Sequence, residues 1–367
     1  MVESGDLLDE NGRLVQTGWA RRLLLKYNRN RVAAGRLRLK EWDCYCVMNP
    51  RYKLTLIVAD VGYFGMATID WIDFEEKRQW SGGSVRLFTR GKLDLPPTAD
   101  EGDVFYERKD ASVAFLRDPP ADWAGESLKE GMRPGDLPAG PALPQRPERV
   151  LAFDFPKFKA GDARGIRGVV TLRQPPGMDT MVNVIPFENH RHFVYVQKVC
   201  CMPAVGVVEV GGETFQFAGE EDGSWGVLDW SRGVFPYRTR WWWSYCSGKV
   251  CGVPFGFNVD YGFGAESSKN MVFYDGKGHH LDEVTYEFDE TDPMKPWTYT
   301  SNDGRFEATL DPVFYHETKV NALVLATAGV NAYGFVTGTV VLDDGTEVRV
   351  RPEDQLFASA EHYRHRW

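Results

Sequence analysis

The chain has 367 residues and a formal net charge of −9, with 43% hydrophobic and 26% charged residues. That balance allows a sizeable core and excludes wholesale disorder, while the acidic net charge and the lack of a long basic run argue against nucleic acid as a partner. Aromatic residues make up 13%, with 37 glycines and 12 tryptophans, a mixture that favours strands and tight turns over helices.

The first residues, MVESGDLLDENGRL, are acidic and polar, unlike a secretory signal peptide. No apolar run approaches the roughly 20 residues needed to cross a bilayer as a helix. The expectation is a cytoplasmic protein without a transmembrane segment. Residues 1–36 read as a polar lead-in with a short helical piece near Arg21–Tyr27. From Leu37 the pattern turns to strands. Arg38–Met48 sets Trp42, Cys44, Cys46 and Met48 on one face, and Tyr52–Asp60 sets Leu54, Leu56, Val58 and Asp60 on one face. Asn49-Pro50, Gly62 and Gly82-Gly83 mark turns.

Arg117–Arg149 carries too many prolines and glycines for regular structure and reads as a long excursion. The second half is a string of short strands at regular spacing, with Asp275-Gly276, Asp303-Gly304 and Asp344-Gly345 as hairpin signals. Neither strand–helix alternation nor a sustained helical period occurs. The fold class is all-β, of sandwich or barrel type, and two halves of similar strand content suggest duplicated antiparallel barrels. The expected division is an N-terminal barrel over 37–190, holding the excursion at 117–149, and a C-terminal barrel over 191–367.

The densest chemistry lies in Gly223–Gly248, GSWGVLDWSRGVFPYRTRWWWSYCSG. It contains five tryptophans, two tyrosines, three arginines and one aspartate. Period-2 reading places Trp225, Val227 and Asp229 on one strand face, and Trp241, Trp243 and Tyr245 on one face of another. Trp230, Arg232 and Tyr237 fall between. Asp229 beside an aromatic wall is the leading catalytic candidate, because a carboxylic acid held neutral can protonate an alkene or a leaving oxygen and aromatic faces stabilise a cation. The plainer alternative is an Asp229–Arg232 turn contact with Trp230 in the core. Asp60, Glu188 and Glu266 are possible second carboxylates. Asn189, His192 and Asn270 are candidate ligand contacts, and each of these taken alone is compatible with turn or surface chemistry.

His190 and His192 share one side of an extended segment but lack a third metal ligand at a telling spacing, and the six cysteines show no zinc spacing. The expectation is reduced, mostly buried thiols, no metal and no cofactor. No hydrolase elbow, phosphate loop or dinucleotide glycine pattern is present.

Several segments resemble a known family. RLKEWDCYCVMNPRYKLTLIVADVGYFG, VIPFENHRHFVYVQK, GVLDWSRGVFPYRTRWWWSYCSG, YGFVTGTVVLDDG and the closing HRW together resemble the bacterial family domain of unknown function 2804. That family is more remotely similar to a double-barrel calycin-like group of carotenoid hydratases, tocopherol cyclases, Diels-Alder-type cyclases and lipid binders. The resemblance implies two lipocalin-like barrels with an apolar ligand at a barrel mouth, and it implies no single reaction. From the hydratases it carries one role, a proton-donating aspartate in an aromatic pocket, onto Asp229. The resulting expectation is a small-molecule ligand, terpenoid-like or lipid, processed by metal-free hydration, cyclisation or isomerisation. A carbohydrate-active enzyme with a carboxylate pair and tryptophan platforms is one alternative, and a non-catalytic lipid carrier is another. The oligomeric state is open.

Overall fold

The computed structural model describes residues 3–117, 149–263, 269–322 and 325–367. Apart from short 3-10 turns such as Arg29–Arg31, the regular structure of the described residues is strand, organised as two nearly closed antiparallel barrels. The excursion read at 117–149 lies, between its flanking strand residues Arg117 and Arg149, outside the described residues. Among the described residues no helix is long and apolar enough to cross a membrane.

The chain forms two compact units. Unit 1 comprises 1–34, 177–201 and 232–367, and unit 2 comprises 35–176 and 202–231. The units are therefore not the two contiguous stretches 37–190 and 191–367 read from the sequence. The cause is strand length. Phe193–Val210 is one strand of 18 residues, where the turn-prone Pro203 and Gly206 suggest two short ones. Trp225–Val234 likewise runs through the division at Ser231 and Arg232. The polar lead-in also belongs to unit 1. Gly18–Ala20 pairs with Met181–Pro186, and Gly5–Asp6 pairs in parallel with Leu25–Lys26.

The helical piece expected near Arg21–Tyr27 does not form. Leu25 is extended because the buried Tyr195 hydroxyl donates to its carbonyl at 3.0 Å and lies 3.3 Å from its N–H. A tertiary contact thus overrides a weak local helix preference.

In unit 2, alternation packs Leu54, Leu56, Val58, Ala67, Ile69 and Trp71 into the core. Tyr52–Asp60 pairs with both Leu39–Met48 and Phe64–Asp73, and Phe64–Asp73 pairs with Arg78–Leu87. Arg149–Ala160 returns towards Arg78–Leu87 and nearly closes the barrel. In unit 1, Arg238–Val250 sits between Val253–Tyr261 and Phe357–Arg366. Its inward row buries Cys246 with Phe257, Tyr286, Trp297, Tyr299 and Phe306. The outward row of this strand carries Trp241, Trp243 and Tyr245, because successive side chains alternate faces.

Candidate functional site

In each unit the described residues bring aromatic side chains together with polar groups. In unit 2 the centre is Asp229, buried within Trp225–Val234. Trp42 Nε1 donates to Asp229 Oδ2 at 3.2 Å, and Ser231 Oγ donates to Oδ1 at 3.1 Å. Ser231 lies two residues along the same strand, so alternation puts both on one face with Trp225 and Val227. Trp230 and Arg232, both fully buried, belong to the opposite face. The thiols of Cys44 and Cys46 lie 4.0 Å apart, on the same face of Leu39–Met48 as Trp42. Hydrogen bonding to Cys46 and burial push the Cys44 thiol well above its ordinary value. Cys44 is therefore protonated at neutral pH and poorly nucleophilic.

In unit 1 the centre is Glu361. Trp241 Nε1 donates to its Oε1 at 2.9 Å, and Asn331 Nδ2 donates to its Oε2 at 2.8 Å. Tyr363 donates to Asn331 Oδ1 at 2.5 Å, and its hydroxyl also lies 3.1 Å from Thr318 Oγ1. Strand register explains the grouping. Asn331 pairs with Glu361 across one ladder and Trp241 pairs with Tyr363 across the next. The Trp241 ring stacks on His365 at 4.5 Å. Burial pushes the His365 imidazole down to about 4, so the ring is neutral at pH 7, with Nε2 2.8 Å from Thr327 Oγ1.

Further along the same row, Trp243 Nε1 donates to Asn258 Oδ1 at 2.7 Å, and its ring lies 4.5 Å from that of Tyr245. The Lys198 ammonium sits 3.8 Å from the Trp243 ring centre, a cation–π contact. Lys269 donates to Asp260 Oδ1 at 2.6 Å. Burial lowers the Lys269 pKa, while Asp260 opposes the shift.

The remaining candidates have other roles or lie elsewhere. Asp60 is buried and committed to a turn: it accepts from Gly62 N at 3.0 Å, Thr89 Oγ1 at 2.8 Å and Leu93 N at 3.3 Å. Glu188 and Asn189 are exposed in the turn between Met181–Pro186 and Phe193–Val210, with the half-buried His192 closing it. There His192 N donates to Asn189 O at 2.7 Å, and Arg191 N donates to Asn189 Oδ1 at 3.0 Å. Asn270 is buried and ties Asp282 O to Asp260 N. Tyr237 is 41% exposed. Glu266 lies outside the described residues. The alternative of an Asp229–Arg232 turn contact needs a turn here, and the two residues instead sit on opposite faces of a continuous strand. Sequence reading missed Trp42 as the partner of Asp229, and it missed Glu361 altogether. The period-2 run Glu361, Tyr363, His365, Trp367 was the available signal. Among the described residues no group of three His, Cys, Asp or Glu side chains gathers in a metal-binding arrangement.

The sequence as a whole, residues 1–367, matches the family model described as a domain of unknown function (DUF2804). The chain belongs to that family. Curated proteins offer no match. Solved structures similar to this member of the family include CghA bound to Sch210972, at 12% identity, TM-score 0.49 and 97% coverage of each chain. Another is kievitone hydratase from Nectria haematococca, at 8% identity and TM-score 0.41, covering 99% of this chain and 98% of that one. A third, from Nitrosomonas europaea and named as an AttH, is 11% identical with TM-score 0.45, covering 93% and 96%. At these identities the likenesses carry nothing about activity.

Proposed function

We propose that this protein binds a small, largely apolar molecule, terpenoid-like or lipid, against its aromatic side chains. On this reading it processes that molecule by acid catalysis from Asp229. The observation that supports the reading is a buried carboxyl whose two oxygens are held by the Trp42 indole N–H and the Ser231 hydroxyl. Protonation of an alkene by such a carboxyl forms a C–H bond and leaves a carbocation, which the face of an adjacent tryptophan stabilises. Attack by water followed by proton loss gives hydration. Attack by a second alkene gives cyclisation, and loss of a different proton gives isomerisation. In each case the proton returns to Asp229, and the chemistry draws on no metal or redox group.

The carbohydrate alternative draws less support. It needs two carboxyls facing a sugar, and Asp60 is consumed by a turn while Glu188 stands in an exposed one. The carrier alternative separates from catalysis by experiment. Native mass spectrometry of purified protein identifies a retained ligand, and that ligand is then incubated with protein in D2O. Carbon-bound deuterium in the product, lost in Asp229→Asn, is the expected result. Ligand binding without deuterium incorporation would establish a carrier.

A further inference from the structure

The segment Ser84-Val85-Arg86-Leu87-Phe88-Thr89-Arg90-Gly91-Lys92 interleaves apolar and basic residues at the end of the strand Arg78–Leu87. Val85 and Leu87 share one face and register with Met66 and Phe64. That face is open: Val85 is 51% exposed and Leu87 69%. Phe88 follows at 61% exposure and φ +55, a left-handed conformation uncommon for a bulky residue. Local bonds impose this conformation. Phe88 N donates to Tyr63 O at 2.7 Å, and Arg90 N donates to Gly62 O at 2.9 Å. Between them Thr89 is buried and donates to Asp60. Thr89 is thus turned inward while Phe88 and Arg90 are turned out. Gly62 also brings in the segment before the first long strand, since a Cβ there would stand 2.8 Å from Leu37 Cα. Leu37 adds a fourth apolar side chain, 45% exposed.

The charge around these residues is one-sided. Arg36, Arg86, Arg90 and Lys92 are exposed and Arg38 is half-buried, against one exposed carboxylate, Asp94, in the same loop. A cationic patch is the reverse of the chain's net −9. We propose that this end of unit 2 is a docking surface for an anionic lipid bilayer, with Leu87 and Phe88 entering the acyl boundary and the arginines meeting the headgroups. Charge complementarity selects the occupant. Outward aliphatic side chains inside a basic ring suit a surface that is negative outside and apolar beneath, whereas a nucleic acid offers no apolar phase for Val85, Leu87 and Leu37. The proposal stands apart from the acid-catalysis reading, because its readout is partition and requires no turnover.

The test is co-sedimentation of the full chain with phosphatidylcholine vesicles, with and without phosphatidylserine. Binding is expected only with phosphatidylserine and should weaken with added salt. Leu87→Glu and Arg90→Glu should each weaken it roughly tenfold with unchanged thermal stability, since both side chains are exposed. Absence of binding to phosphatidylserine vesicles, or binding by both variants as strong as wild type, would overturn the proposal. So would a wild-type dimer that Leu87→Glu converts to a monomer without any vesicle binding, which would make the face a contact between copies.

Discussion

At the scale of single residues the acid reading rests on Asp229 and its indole partner. Asp229→Asn keeps size, with the amide oxygen able to accept from Trp42 and the amide nitrogen able to donate to Ser231 Oγ, so fold and ligand retention should survive while turnover falls about 100-fold or more. Trp42→Phe should lower turnover less, because it removes one orienting hydrogen bond and keeps a ring. An Asn variant that turns over at the wild-type rate would remove Asp229 from the chemistry.

The histidines give a second test at this scale. His365 is held at about 4 by burial, and His362 is held at about 4 by burial and then by Arg240 and Arg364. The unfolded chain takes up these protons near the ordinary value of about 6.5. Between those limits the unfolded state binds more protons. Stability is therefore fully present above about pH 6.5 and is lost as the pH falls towards 4, by an order of 1–3 kcal/mol for each ring. Melting temperatures measured across this window should drop on acidification, and His365→Phe should flatten the slope. A variant as steep as wild type would assign the acid sensitivity to other groups.

At the scale of elements, close approach of strands sets the tolerances. A Cβ at Gly256 would stand 2.6 Å from Cys201 Sγ and 2.7 Å from the Cys246 carbonyl oxygen. The carbonyl belongs to a ladder and cannot yield, and Cys201 is itself held at φ +60. Gly256→Ala should lower unfolding stability by roughly 1–3 kcal/mol in urea titration. Gly35→Ala is the control, since its Cβ meets nothing within 4 Å and should change little. Equal effects of the two changes would show that the crowding at Gly256 relaxes without cost.

Elements are also where the sequence was most and least legible. Alternation such as Leu54, Leu56, Val58 and Ile69, Trp71 announces strands because one face is buried. It also places Asp229 with Trp225 and Val227. It does not report strand length. Pro203 and Gly206 look like a break, yet Val205 and Gly206 keep their ladder partners Thr171 and Val170. Turn chemistry was legible in retrospect at Asp60, whose carboxyl caps the N–H of Gly62 two residues on. The Trp42–Asp229 bond joins residues 187 apart in sequence, and no local period encodes such a pair.

At the scale of the whole molecule the consequence is how the chain is shared. It passes between the units after residues 34, 176, 201 and 231, so a cut near 190 divides both units. Phe193–Val210 makes this severe. Its first part pairs with Met181–Pro186 and its later part with Ala163–Leu172, both on the other side of the cut. A fragment spanning 191–367 would expose one edge of an 18-residue strand, and long unpaired edges template aggregation. The fragment 1–190 would lack Trp225–Val234, and with it the strand that neighbours Leu39–Met48 in the sheet. Expressed separately, each half should show no cooperative thermal transition and should aggregate, while the intact chain melts cooperatively. Two halves that are each monomeric and melt cooperatively would show that the shared strands do not couple the folding of the two units.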